Sequence, residues 1–284
     1  MDTAKKHRGT SGPATGASES SHASKSSSQQ HQDALTFVRR DLTKAHQQDK
    51  KEFFSNVAAG VAHEINNLLV GAIGAANLAT KNTAISAQLQ EELRLIEKAG
   101  AQIADFVERL SLAAEKGIYH FKKVDLSAVL EKVIKAQVHQ LPHGLRVQHQ
   151  VESDLPRVSG DAEKLEKALR ALLINAFEAC ETRGDLVHVR LGVENASSID
   201  PDELFWPFES QPHKLLSLSV EDNGCGVPED VMVRIFDPFF TTKFPGRGLG
   251  LAMTAGVVKR HGGSIIIRSV QHKGATFSIF LPAE

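Results

Sequence analysis

Between Phe53 and Leu78 the apolar residues return every three or four positions, at Phe54, Ala58, Val61, Ile65, Leu68 and Ala72. That is the period of an amphipathic helix. At about 100° per residue the six side chains share one narrow face, and His63 points roughly 180° from its middle. Asn67, one turn further on, stands beside His63, and Glu64 follows it directly. The helix is therefore expected to bury one side and to present an imidazole flanked by a carboxylate and an amide on the other. Such an imidazole can act as a nucleophile. The chain has 13 histidines, so on this helix alone a plain surface histidine is the competing reading.

A second apolar stripe (Leu89, Leu93, Ile96, Ile103, Val107, Leu110) predicts a helix over about 85–115, with Thr80 to Ala84 as the turn. Two amphipathic helices joined by a short connection make an antiparallel hairpin. One hairpin offers too little surface to close its own core. A second copy would complete a four-helix bundle about a twofold axis, so a homodimer is expected. Packing against the rest of the same chain is the alternative. From Phe121 onward, short strands alternate with helices in groups, and Asp161 reads as the cap of a helix reaching about Glu181. This pattern indicates an α+β layer with helices on one face of a mixed sheet.

Of 284 residues, 33 are basic and 34 acidic, which argues against a nucleic-acid binder. Cys180 and Cys225 are far apart and no CxxC occurs, as suits a reducing compartment. No apolar run reaches the ~18 residues of a membrane span, and no signal-peptide core is present; a cytoplasmic protein is expected. Residues 1–32 are rich in small and polar residues and are expected to be disordered. Residues 33–51 read as a helical lead-in, 52–116 as the hairpin, and 120–284 as the α+β domain.

Two glycine-rich stretches carry chemistry. Asp222-Asn223-Gly224-Cys225-Gly226 follows a strand directly. Glycines there allow a tight turn and close approach to a ligand. The carboxylate could accept a hydrogen bond from an exocyclic amine such as adenine's; an ordinary turn is the other reading. Gly246-Arg247-Gly248-Leu249-Gly250 opens a helix, where free N–H groups can cradle phosphate. Between them, residues 236–245 (FDPFFTTKFP) read as a lid. Lys243 could reach a phosphate. Asn175, an amide in the apolar run LLINAFEA, needs a polar partner, and a magnesium–phosphate group is one candidate.

In order, AHEINNLL, LLINAFEA, DNGCGV, FDPFFTTK and GRGLGL resemble the H, N, first glycine, F and second glycine boxes of the bacterial sensor histidine kinases. The nitrogen-regulation subgroup is the nearest in pattern. The resemblance covers Phe53 to Pro282. It implies a dimerising helical hairpin followed by a Bergerat-type α/β-sandwich ATP-binding domain. His63 would accept the γ-phosphate of ATP, Glu64 would serve as base or orienter, and Asn67 would help place water during dephosphorylation. Asn175 would hold magnesium, and Asp222 would read adenine with Gly224 and Gly226 beneath it. Lys243, Gly246, Gly248 and Gly250 would surround the phosphates, and Thr276 would lie near the adenine pocket. The implied partners are a second copy, a response-regulator receiver domain on another chain, and an upstream sensor protein.

Two departures stand out. Where the N box usually has a second polar residue, this chain has Ala171. The segment 195–213, with Phe205, Trp206 and Phe208, is not part of the family's pattern. The expectation is a soluble histidine protein kinase. The alternative is a catalytically weak phosphotransfer or scaffold protein that retains the fold, which Ala171 favours. An ATPase of the gyrase or chaperone kind would leave the His63 hairpin unexplained.

Overall fold

The computed structural model describes residues 54–55, 57–80, 86–139, 141, 143–208, 210, 212–243 and 248–283. The expected disorder over 1–32 and the lead-in over 33–51 lie outside the described residues, as does most of the expected turn after Thr80. All described residues belong to one unit, Phe53–Glu284.

Helix α1 (57–80) and helix α2 (Ala87–Ala113) pack against each other. Ser86 caps α2 by accepting the Leu89 N–H at 3.2 Å. The Ser55 hydroxyl donates to the Ala114 carbonyl at 2.9 Å, and the Thr80 hydroxyl donates to Glu97 at 3.1 Å. Between these ends Gly100 faces Ile73 so closely that a Cβ would fall 2.6 Å from its Cγ1. Early residues of α1 therefore meet late residues of α2, and the pair is antiparallel.

The buried stripe of α1 is not the expected one. Ala58, Ala62 and Ala76 are buried, and Ile65, Leu69 and Ile73 are half-buried, whereas Val61, Leu68 and Ala72 are exposed. On α2, Leu93, Val107 and Leu110 are buried while Leu89, Ile96 and Ile103 are exposed. One neighbour covers one side of each helix; the apolar surface in the sequence is wide enough for two. The uncovered residues recur every seven, at Val61 and Leu68 on α1 and at Leu89, Ile96 and Ile103 on α2, which is the repeat of a helix-bundle seam.

The remaining elements are β1 (Lys122–Val124), α3 (Leu126–Val138), β2 (Arg146–Val151), β3 (Val158–Gly160), α4 (Ala162–Cys180), β4 (Leu186–Asn195), β5 (Lys214–Asp222), α5 (Glu229–Met232), α6 (Gly250–Arg260), β6 (Ser264–Val270) and β7 (Gly274–Pro282). The main sheet has the order β2-β4-β5-β7-β6; β2 and β4 are parallel and the other pairs antiparallel. β1 and β3 form a separate antiparallel pair. The sequence reading missed β3, three residues behind Pro156 with no pattern of their own.

Strand alternation sorts the sheet's two faces. Val187, Val189 and Leu191, Leu216, Leu218 and Val220, and Ala275, Phe277, Ile279 and Leu281 join one core with α3, α4 and α6. Leu215, Ile266 and Phe280 point the other way, where Ile199, Leu204 and Phe208 of the 195–213 segment cover them. That segment is thus the lid of a small second core. Each buried leucine contributes about 1.5–3 kcal/mol relative to exposure.

Two features fasten the helical pair to the sheet layer. Gly256 of α6 lies against the backbone of Leu112 and Ala113, where any side chain would collide. Glu108 of α2 pairs with Lys164 of α4 at 2.6 Å and with Lys167. Burial works to raise the Glu108 pKa, but bonds and charge from the two lysines hold it below the usual carboxylate range.

A polar knot ties the connection after α2 to α4 and α6. As the sequence predicts, Asp161 caps α4, accepting the Glu163 and Lys164 N–H groups at 3.0 and 3.2 Å. Its other oxygen accepts the His120 N–H at 2.8 Å. The Asp161 N–H donates to His261 Nε2 at 2.9 Å, and His261 Nδ1 donates to the Val257 carbonyl at 2.7 Å. His261 is 7% exposed, and its two bonds require the neutral ring. Burial lowers its pKa below the ordinary histidine range, against opposing contributions from the Val257 carbonyl and Asp161. A depressed folded-state pKa gives stability that is intact above the unfolded value and lost as pH falls below it. The urea midpoint of the wild type is therefore expected to drop as pH is lowered from 6.5 toward 5. His261→Phe should start less stable and lose less over that interval. An equal loss in both would assign the acid sensitivity elsewhere.

Candidate functional site

A cavity of about 430 Å³ opens between α4, the turn after β5, residues 235–243 and the start of α6. Its floor is set by β5. The register places Asp222 beside Val187 on one side and Ala275 on the other, at the end of the strand where the chain must turn. Asp222 is 4% exposed and lines the cavity, with one carboxylate oxygen accepting the Gly224 N–H at 2.9 Å. Burial raises its pKa above the usual value, opposed by N–H groups of Gly224 and Ala275 and by the charge of Lys243. A buried carboxylate facing a cavity, whose donors among the described residues are main-chain N–H groups, is suited to accept one more hydrogen bond from a ligand.

The residues after Asp222 build the turn. Asn223 is structural: its side-chain oxygen accepts the Asp185 and Leu186 N–H groups at 2.9 and 3.0 Å, which fastens the start of β4. Gly224 stands behind the cavity wall, where a Cβ would come within 2.5 Å of the Ala179 carbonyl. Gly226 lines the cavity with φ +65°, and a Cβ there would strike the Val270 carbonyl. That position admits glycine for both reasons. Cys225 also lines the cavity. Cys180 is buried nearby, and burial pushes its thiol up to about 11.

Across the cavity, Asn175 and Ala171 line the α4 wall, one turn apart. Ala171 faces Gly250, with 3.8 Å from its Cβ to where a Cβ would stand on the glycine. Lys243 reaches over to α4 and pairs with Glu178 at 2.7 Å. Gly248 and Gly250 also line the cavity, and the Phe239 N–H donates to the Gly248 carbonyl at 2.9 Å. Gly246 lies outside the described residues. Sequence reasoning missed three cations that also line the cavity: Arg109 of α2 and Lys167 and Arg170 of α4. Their signal was weak, since each sits in an ordinary charged helix face. They line the same cavity as Lys243, with Lys167 paired to Glu108 and Arg109 to Asp105, and cations on several of its walls suit the cavity to an anion.

The structure does not bring every expected residue here. Thr276 lies between Ala275 and Phe277, which line the cavity, and strand alternation turns its side chain to the opposite face of the sheet beside Glu221 and Arg268. Its expected place near the adenine pocket is corrected accordingly. Ahead of the 235–243 wall α5 is a single turn, Ile235 and Phe236 turn into the core, and Phe239 takes φ +65°. His63, Glu64 and Asn67 are all exposed on α1, and none lines the cavity. The base of α1 does touch the cavity's flank: Phe54 packs edge-on against Phe239 at 5.9 Å, and Leu249 is buried with Ala58, Leu110 and Ala114.

Among the described residues, no group of three or more His, Cys, Asp and Glu side chains could hold a metal ion. A hard cation in this cavity would take one amide oxygen, from Asn175, and most of its ligands from a bound phosphate, as magnesium in nucleotide sites does.

Residues 160–284 match the family of histidine kinase-, DNA gyrase B- and HSP90-like ATPases. The chain is 30% identical over 234 residues to the sensory histidine kinase/phosphatase NtrB of Rhizobium meliloti (strain 1021), a match covering 81% of this chain and 58% of that protein. It is 28% identical over 249 residues to the signal transduction histidine-protein kinase AtoS of Escherichia coli (strain K12), covering 87% of this chain and 38% of that one. The chain thus spans well under two thirds of these relatives' length. Among solved structures, full-length ShkA in complex with AMPPNP aligns with a TM-score of 0.58 at 25% identity, over 80% of this chain and 46% of that one.

Proposed function

We propose, from the premise that this chain carries a histidine kinase transmitter core, that it binds ATP with magnesium in the α+β layer and autophosphorylates His63. The phosphoryl group would then pass to an aspartate on a response-regulator receiver domain of another chain. The observation that carries this reading is Asp222: a buried carboxylate at a strand end, aimed into a cavity that cations and the glycines opening α6 also line. Adenine's exocyclic amine supplies the donor that Asp222 lacks. Gly248 and Gly250, at the start of α6, and Lys243 fit the phosphates, with Lys243 exchanging its bond to Glu178 for one to phosphate. Asn175 would hold magnesium, which neutralises phosphate charge. Positioning and charge neutralisation dominate phosphoryl transfer, and an acceptor on an exposed helix face is open both to the nucleotide and to a partner protein.

On α1, Glu64 would orient the His63 imidazole or take its proton, and Asn67 would place water when the regulator is dephosphorylated. The expected division into a hairpin over 52–116 and an ATP-binding domain over 120–284 fits this separation of acceptor from nucleotide. The seven-residue spacing of exposed apolar residues on α1 and α2 supports a homodimer with a four-helix seam. Among the described residues no helix is long and apolar enough to cross a membrane; a cytoplasmic kinase receiving its signal from another protein fits that. Labelling with γ-labelled ATP, with His63→Gln beside the wild type, tests the proposal.

One observation favours the weaker alternative, a phosphotransfer or scaffold protein of the same fold. Ala171 stands in the cavity wall a turn before Asn175, where a second polar ligand would fit, and offers only a methyl group. If that missing group limits the rate, Ala171→Asn should raise autophosphorylation several-fold at limiting magnesium and less at saturation. An unchanged rate at every magnesium concentration would show that another group already serves.

A further inference from the structure

The 195–213 segment does more than cover the second face of the sheet. It crosses the edge of β6 and is fastened there at three points. The Phe205 N–H donates to the Ile265 carbonyl at 2.9 Å, the Trp206 indole N–H donates to the Gly263 carbonyl at 2.7 Å, and the Trp206 carbonyl accepts the Ser264 hydroxyl. Glu203 adds an ion pair with Arg268. Beyond these anchors the two rings project onto one target. Phe205 meets Phe236 edge-on at 4.6 Å between centroids, and Trp206 stands 6.3 Å from it.

Phe236 is 5% exposed and sits in the run whose other residues form a wall of the cavity: Ile235 before it, and Phe240, Thr241 and Lys243 after it. Neither Phe205 nor Trp206 lines the cavity itself. They lie behind the wall, which has little regular structure of its own: α5 is one turn long and the residues between α5 and Lys243 are turns, so its position depends on the packing of Ile235 and Phe236 against their neighbours. We infer that Phe205 and Trp206 are positioning residues for nucleotide binding, bracing Phe236, and through it the 235–243 wall, from the outer edge of the sheet. This rests on the cavity being the nucleotide site. An aromatic brace of this kind fixes ring orientation as well as burying area, so bulk alone should not replace it.

The test uses the full chain and isothermal calorimetry with ADP. Phe205→Ala and Trp206→Ala are each expected to weaken ADP binding about tenfold, the scale of one lost aromatic contact. Trp206→Phe, which keeps a ring toward Phe236, should stay within about twofold of wild type. In autophosphorylation, KM for ATP should rise while the rate at saturating ATP holds, because the acceptor helix is untouched. Leu204→Ala is the control. It removes a side chain from the second core, on the opposite face, and should lower the melting temperature without changing ADP affinity. Should Trp206→Ala fail to fold, Phe205→Leu, which keeps bulk but not the ring, carries the same expectation. Wild-type affinity in Phe205→Ala and Trp206→Ala, or an equal loss in Leu204→Ala, would overturn the inference. No ADP binding by the wild type would instead overturn the nucleotide reading on which it rests.

Discussion

His63→Gln protein should bind ADP as the wild type does and incorporate no phosphate from γ-labelled ATP. Both halves follow from where the residue stands. It is exposed on α1 and lines no part of the cavity, so removing the imidazole leaves the nucleotide's contacts in place. Glutamine is a good helix former, so α1 keeps its packing against α2. What is lost is the one imidazole on α1, the side chain there able to attack phosphorus through nitrogen. The expected effect is complete loss of protein-bound label with ADP affinity within about twofold. Label retained by the variant would move the acceptor to another side chain; lost ADP binding would mean that α1 contributes to the cavity's shape.

The second large effect concerns Asp222. Asn has nearly the same shape, so the strand end and the Gly224 turn should survive Asp222→Asn. The exchange removes the negative charge that would accept adenine's exocyclic amine. A hydrogen bond to a charged group contributes about 1.5–3 kcal/mol, so ADP affinity should fall roughly 10–150-fold. The pH dependence gives an independent sign. Burial has already raised the Asp222 pKa, and a donor ligand prefers the ionised form, so binding pulls the pKa back down. Wild-type affinity should therefore weaken as pH falls toward the raised value, and the Asn variant should be flatter over the same range. Equal affinity in the two proteins would remove Asp222 from nucleotide recognition.

How far the sequence revealed this molecule depended on whether a residue's role was local. Asp161 could be read as a helix cap because capping is a contact with its own next turn. The Asp222 turn and the glycines of α6 were readable because a tight turn and a helix start each leave a signature within five residues. Thr276 was carried by resemblance alone, and its neighbours on β7 show that the opposite parity faces the cavity. The stripe on α1 was read for one partner surface, yet α2 covers a different arc. Val61 and Leu68 stay uncovered, since an apolar face wider than one neighbour can bury has no single direction in sequence. The anchoring of Trp206 57 residues away, on Gly263, left no trace in either segment. The same holds for Arg109, which the packing of α2 on α6 brings to the cavity.

The proposed transfer of a phosphoryl group from ATP onto a histidine nitrogen leaves a chemical signature in its product. The chemical stability of the product tests it most directly. Purified wild-type protein incubated with γ-labelled ATP and magnesium, then divided between acid and alkali, is predicted to lose its label in acid and keep it in alkali, as a phosphoramidate does. Label stable in acid, or no label from protein that binds ADP, would mean that no histidine of this chain takes phosphate from ATP.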